Sequence, residues 1–173
     1  MKNKYSQLFL ISNILIILDQ VTKFWITLHI PRHYSISVVE GFFNLTHIRN
    51  PGVAFGLFAS HESEYKVLFF VVTSMIAIIA ILIIFHQSPE NKKAARIGLI
   101  LIFSGAVGNL IDRIVFKEVI DFLDFFYNGF HWPAFNIADS CITIGVSFMM
   151  YDLFFGYSEK TNISNPPNKS EQL

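Results

Sequence analysis

The sequence predicts an all-α membrane protein with four transmembrane helices and a small β-sheet-containing extracytoplasmic loop between helices 1 and 2. Composition is the first reason: 53% of the 173 residues are hydrophobic and 15% are charged, whereas a soluble domain carries about 25% charged residues. The mean hydropathy of +0.48 indicates the same class. Length is the second reason, because four apolar runs, at about 8–28, 67–85, 97–116 and 135–155, approach the roughly 20 helical residues that cross a bilayer core.

The first apolar run begins like a signal peptide, with Lys2 and Lys4 before it. The run is long, is interrupted by Asp19 and Lys23, and lacks a small-x-small cleavage site, so we predict a retained helix. Asp19 and Lys23 are spaced i,i+4 and can share one helix face. Their simplest role is structural, because the two charges would neutralise each other in the membrane and tie this helix to its neighbours.

Residues 29–66 are too polar and too punctuated to span a membrane. Two stretches rich in β-branched residues, 34–39 and 42–48, are separated by Glu40-Gly41, a turn signal. They predict a small sheet on the membrane surface. The loop continues with the motif NPGVAFG at residues 50–56, whose Gly52 and Gly56 are predicted to shape a turn more than to contact a ligand.

The third apolar run carries small and polar residues in its second half. Gly105 and Gly108 would allow a neighbouring helix to approach closely. Asn109 and Arg113 are spaced i,i+4 and have several possible roles: a hydrogen bond between helices, an arginine that snorkels to the interface, or an arginine that holds a lipid phosphate or a peptide carbonyl.

Orientation follows from the lysines and arginines in the short connections. One side of the membrane would carry Lys2, Lys4, Lys92, Lys93, Arg96, Lys160 and Lys169, and the other Arg32, Arg49, Lys66 and Lys117. We therefore predict cytoplasmic termini and outer loops at 29–66 and 117–134. The polar residues of the helices then lie mostly towards the outer leaflet.

Three carboxylates lie near the outer ends of the last two runs. Asp121 and Asp124 belong to a short aromatic loop, and either could be a solvated loop residue or a functional group. Asp139 lies inside an apolar run, one turn after Asn136, which could orient it. Asp139 could also cap its helix, where a negative charge is favourable. An ionisable group at the edge of hydrocarbon is a functional candidate.

Other features exclude whole classes of function. The net charge of +0 leaves no basic surface for nucleic acid. Cys141 is a lone cysteine and cannot form a multi-cysteine zinc site, so we expect no metal. His131 and Trp132 are predicted to be interfacial anchors. The tail at 159–173 is predicted to be a disordered polar end.

Five motifs occur in the order found in one known family: DQVTK at 19–23, NPGVAFG at 50–56, GAVGNLIDR at 105–113, VIDF at 119–122 and FNIADS at 135–140. With them, the chain resembles the bacterial lipoprotein signal peptidases (type II signal peptidases), which are intramembrane aspartyl proteases. Ser104 is the one visible departure, since the family usually has a glycine there.

The resemblance implies a single four-helix transmembrane peptidase domain, at 1–158, in the bacterial cytoplasmic (inner) membrane, with its active site at the outer leaflet. Asp121 and Asp139 would be the catalytic pair, which leaves Asp124 outside the motif. The implied substrate-binding or supporting residues are Asn50, Gly52, Asn109, Arg113 and Asn136, and the structural polar residues are Asp19, Lys23 and Asp112.

The implied reaction is removal of the signal peptide from diacylglyceryl-modified prolipoproteins, with the cut just before the lipidated cysteine. No cofactor or metal is implied; prolipoprotein and membrane lipid are the expected partners of a monomer. The first outer loop, including Asn50, and residues 124–132 are expected to flank the substrate. The alternatives are a small proton- or ion-coupled transporter, in which the intramembrane charges form an ion path, and a non-catalytic assembly protein.

Overall fold

The computed structural model describes residues 3–52, 64–89 and 91–155. Lys2, residues 53–56 of the NPGVAFG motif and the tail at 159–173 lie outside them. In the described residues there are four helices and four strands, in the order α1 (Lys4–His29), β1 (Ser35–Val39), β2 (Phe43–Asn50), α2 (Glu64–Gln87), α3 (Lys93–Phe116), β3 (Val119–Tyr127), β4 (Phe130–His131) and α4 (Ile137–Phe155). All four of these helices are long and apolar enough to cross a membrane, which confirms that part of the predicted fold class.

Helix α3 lies at the centre of the bundle and packs on α1, α2 and α4. Small residues bring α3 and α4 together. Gly98 and Gly145 face each other so closely that a Cβ on either would lie 2.6 Å from the carbonyl oxygen of the other. One end of the bundle carries the sheet, and this end is called the sheet end below.

Gly105 lies at the closest approach of α3 to the start of α4. A Cβ there would overlap the carbonyl oxygen of Ala138 and lie 2.7 Å from Cγ1 of Ile142. We expect Gly105→Ala to lower the free energy of unfolding by about 2 kcal/mol, as overpacking commonly does. Thermal unfolding in detergent measures this. Ala106→Ser, which also adds one heavy atom but does so at a half-buried position, should leave the midpoint nearly unchanged; equal shifts for the two variants would contradict the packing explanation.

The predicted small sheet is present and is larger than the first loop alone could form. β1 and β2 pair antiparallel, with Gly41 at φ +75° in the connection between them. β2 then pairs antiparallel with β3, and β3 with β4, so the described strands lie in the order β1-β2-β3-β4. The structure therefore differs from the aromatic loop predicted at 117–134, because Val119–Tyr127 of that segment form the strand β3, which pairs with β2.

Apolar side chains hold the sheet on the end of the bundle. Ile26 and Ile30, at the end of α1, form a buried cluster with Ile120 and Phe122 of β3. The chain then returns from β4 along β3, where the Phe135 carbonyl accepts from the amides of Phe122 and Leu123 at 3.0 and 2.8 Å. These bonds bring the start of α4 against β3, which places Asn136 beside Asp121.

The opposite end of the bundle is closed by basic side chains. Lys4 donates to the carbonyl oxygens of His86 and Ser88, at 2.7 and 3.3 Å, where α2 ends. Lys92 pairs with Asp152 at 2.8 Å. This ion pair lies far along the helices from the sheet end and serves below as a reference.

Candidate active site

Asp121 lies on β3 with 2% of its surface exposed, so its interpretation as a solvated loop residue is wrong. Oδ2 accepts a hydrogen bond from the side-chain amide of Asn50 at 2.9 Å, and Oδ1 accepts one from the side-chain amide of Asn136 at 2.8 Å. Loss of water on burial is the main cause that raises the pKa of Asp121 to about 6. The bond from Asn50 opposes the rise, the charge of Asp139 adds to it, and the bond from Asn136 and the charge of Lys23 oppose it.

Asp139 lies in the first turn of α4 and is half-buried. The backbone amide of Asp139 donates to Asn136 Oδ1 at 2.9 Å, and Asp139 Oδ2 accepts from the backbone amide of Asn136 at 3.3 Å. This reciprocal pair is a capping box, so the predicted capping role exists. Capping leaves Oδ1 available, and Oδ1 accepts from the Asn109 side chain at 2.8 Å.

Asn136 connects the two carboxylates. It is fully buried, precedes α4, and binds Asp121 through its side chain and Asp139 through both its amide and its side-chain oxygen. Its side-chain amide also donates to the Ile120 carbonyl oxygen at 3.2 Å. The structure thus brings Asp121 and Asp139 into one site, with one residue hydrogen-bonded to each.

Asp19, Lys23 and Asp112 form a buried ion cluster behind this site. Lys23 Nζ lies 2.8 Å from Asp19 and 2.9 Å from Asp112, and each side chain is at most 1% exposed. Gln20 donates to Asp112 Oδ1 at 3.0 Å. Gln20 was missed by sequence reasoning, although it lies inside the DQVTK motif, because an isolated glutamine on a helix carries no pattern of its own.

Asn50, Gly52 and Arg113 surround the entrance. Asn50 Oδ1 accepts from the Gly52 amide at 2.9 Å. Gly52 has φ +80°, and a Cβ there would lie 2.6 Å from the Phe70 ring, so glycine is required for the turn. The Arg113 guanidinium lies 5.6 Å from the centre of the Phe70 ring and donates to the Asn109 carbonyl oxygen at 3.3 Å.

The family model described as "Signal peptidase (SPase) II" matches residues 11–155. The chain belongs to the signal peptidase II family. The resemblance drawn from the five motifs is thereby confirmed.

Several relatives support this membership over most of the chain. A lipoprotein signal peptidase of Desulforapulum autotrophicum is 49% identical, over 86% of this chain and 92% of that protein. One of Syntrophus aciditrophicus is 46% identical, over 89% of this chain and 96% of that protein.

Solved structures have the same fold. One described as "Bacterial membrane enzyme structure by the in meso method at 2.3 A resolution" matches with a TM-score of 0.76 and 32% identity, over 94% of each chain. Membership of the signal peptidase II family and the four apolar helices of the described residues together fit a multi-pass inner-membrane protein.

Asp124 does not contact Asn136 or the other side chains that bind Asp121 and Asp139. It is 7% exposed on β3, where it accepts from Asn44 at 3.0 Å and pairs with His131 at 2.8 Å. The interpretation of Asp124 as a solvated loop residue is therefore wrong. His131 is half exposed and stacks on Phe126, so its contacts are mainly with the sheet.

The described part of the chain contains no group of three or more histidine, cysteine, aspartate or glutamate side chains arranged to hold a metal ion. What the site offers instead is a pair of carboxylates in one polar pocket, held by asparagine amides. Such a pair can act as a general acid and a general base.

Proposed function

We propose that this chain is a membrane-embedded aspartyl endopeptidase that removes the signal peptide from diacylglyceryl-modified prolipoproteins, cutting just before the lipidated cysteine. The observation that carries the proposal is Asn136, which holds Asp121 and Asp139 in one site at the end of an apolar bundle. Family membership supplies the substrate class, because the matched relatives are lipoprotein signal peptidases.

The two carboxylates differ in environment, and this assigns their roles. Asp121 is buried with a pKa raised to about 6, so we assign the proton that the reaction needs to Asp121. Asp139 is half-buried and can be reached by water. Asp139 therefore acts as the general base and Asp121 as the general acid.

Hydrolysis then needs one water and no other reagent. Asp139 takes a proton from the water while the oxygen of the water bonds to the scissile carbonyl carbon. At the same time Asp121 gives its proton to the carbonyl oxygen. When the C–N bond breaks, Asp139 passes its proton to the leaving nitrogen and Asp121 recovers a proton from the hydroxyl that becomes the new carbonyl. Both aspartates end in their starting states.

The membrane positions the substrate. A signal peptide is an apolar helix, and its diacylglyceryl group holds the adjacent cysteine at the lipid surface. We place the sheet end at the outer leaflet with both termini in the cytoplasm, in a single peptidase domain over residues 1–158 that acts as a monomer. The first loop, including Asn50, and residues 124–132 would flank the peptide.

The direct test incubates the purified protein in detergent with a diacylglyceryl-modified prolipoprotein. We expect a product whose new N-terminal residue is the lipidated cysteine, as read by mass spectrometry. The same precursor without the diacylglyceryl group should be cleaved at least about tenfold more slowly, because lipid anchoring supplies part of the orientation. Absence of cleavage, or cleavage at another bond, would contradict the proposal. Loss of cleavage when a chelator is added would indicate a metal site.

A further inference from the structure

The buried ion cluster binds the backbone next to each proposed catalytic aspartate. Asp112 Oδ2 accepts from the amide of Ile120 at 3.1 Å, and Ile120 directly precedes Asp121. Asp19 Oδ1 accepts from the amide of Ala138 at 2.9 Å, and Ala138 directly precedes Asp139. The same contact therefore occurs twice, once on β3 and once on α4.

Both amides need an external partner. Ala138 is in the first turn of α4, where amides have no acceptor within the helix. The Ile120 amide is buried at the start of β3 and finds its acceptor on α3 instead of on a strand. A carboxylate from another element satisfies each amide and so fixes the distance between the elements.

Lys23 joins the two carboxylates into one unit. Its Nζ contacts both Asp19 and Asp112, as described above, and also donates to Asn109 Oδ1 at 3.1 Å. Because Lys23 occupies the oxygen of the Asn109 amide, the nitrogen of that amide is directed towards Asp139. The Lys23 ammonium group is therefore linked to Asp139 through Asn109. Through the carboxylates of Asp19 and Asp112 it is also linked to the backbone amides that precede Asp139 and Asp121.

A pair that only ties helices together would not need these contacts. One carboxylate is enough to neutralise the charge of Lys23 in the membrane. The cluster has two carboxylates, and an oxygen of each accepts a hydrogen bond from a backbone amide. The extra carboxylate, Asp112, makes the connection to β3.

We propose that Asp19, Lys23 and Asp112 are positioning residues that fix the backbone before Asp121 and Asp139 and thereby set the placement of the two carboxylates relative to each other. This inference rests on the proposed function, because it assumes that these aspartates are the reacting pair. Catalytic geometry is sensitive to such placement, since an error of about 1 Å can cost about a hundredfold in rate.

Two triple variants of similar shape separate positioning from packing. Asp19→Leu/Lys23→Met/Asp112→Leu removes every charge and both acceptors, and a buried ion cluster replaced by apolar groups of similar volume often leaves the fold intact. Asp19→Asn/Lys23→Met/Asp112→Asn removes the same charges but keeps an oxygen for each backbone amide. We expect kcat to fall at least about a hundredfold in the leucine variant and less than about tenfold in the asparagine variant, with KM within about threefold of wild type in both.

The reference variant is Asp152→Asn, which breaks the Lys92 ion pair at the opposite end of the bundle and should leave kcat and KM unchanged. A folded leucine variant with kcat near wild type would overturn the inference. If the leucine variant does not fold, the single Asp19→Asn decides instead. The side-chain amide of an asparagine at position 19 must direct its nitrogen either to Lys23 or to the backbone amide of Ala138. We therefore expect kcat to fall with little change in KM, and a wild-type kcat would overturn the inference.

Hydrogen exchange provides a readout that does not depend on the reaction. In folded leucine-variant protein, peptides that contain Ile120 and Ala138 should exchange at least about tenfold faster than in wild type, whereas the asparagine variant should retain most of the protection. Unchanged protection of both amides would overturn the inference even if no substrate is cleaved. Failure of wild type to cleave, with the exchange difference present, would instead contradict the proposed function.

Discussion

Asp121→Asn and Asp139→Asn are each expected to lower kcat by at least about a thousandfold, because either change removes one of the two proposed proton-transfer groups. Asparagine preserves the shape of aspartate but replaces one carboxylate oxygen by a donor nitrogen, so each variant loses one of the two hydrogen bonds that its carboxylate accepts, from Asn50 or Asn136 at position 121 and from Asn109 or Asn136 at position 139. Substrate binding should survive, and KM should remain within about threefold of wild type. The measurement is the rate of the size shift of a diacylglyceryl-modified prolipoprotein under steady-state conditions.

Two further variants make this result specific. Asp124→Asn alters a carboxylate on the same strand that binds Asn44 and His131, so cleavage should stay within about threefold of wild type. The double variant Asp121→Asn/Asp139→Asn should be hardly slower than either single variant, because residues that act as a unit are not additive. Near-normal cleavage by either single variant would refute the catalytic pair.

The helices were predictable because each depends on a local property of the sequence. The most apolar of the described helices, α2, contains an 18-residue window with a mean hydropathy of 3.2, and no folding partner is needed to recognise it. The β1–β2 pair was also local, with β-branched stretches on either side of Glu40-Gly41. The strand β3 was missed because its partner, β2, lies about 70 residues earlier in the chain and because two aspartates interrupt its apolar pattern.

The candidate site was predictable in its members but not in its connections. Motif order selected Asp121 over Asp124, a choice that charge and hydropathy alone left open. The bonds from Asp19 to the Ala138 amide and from Asp112 to the Ile120 amide could not be predicted, because backbone groups carry no sequence signal. They depend on the close approach of α1, α3, β3 and α4, which is a property of packing.

Stability should show the cost of holding Asp121 in this site. Because burial raises its pKa from 3.8 to about 6, ionising this carboxyl costs the folded protein about 3 kcal/mol relative to the unfolded chain. Below the unfolded pKa the group is protonated in both states and costs nothing. Between about pH 4 and about pH 6 only the unfolded chain releases this proton, so stability falls with rising pH, and the loss levels off above about pH 6, where the folded state ionises as well.

We therefore expect wild-type protein to lose about 2 kcal/mol more stability than Asp121→Asn when the pH is raised from about 4 to about 7. Thermal unfolding midpoints in detergent at the two pH values measure this, and the comparison between variants cancels the titration of other groups. Parallel curves for wild type and Asp121→Asn would show that Asp121 ionises at its ordinary pKa, and the assignment of Asp121 as the proton-carrying member would then be wrong. The expected result means that the chain keeps a destabilising carboxyl where an asparagine would fit, because only the carboxyl can donate the proton that hydrolysis needs.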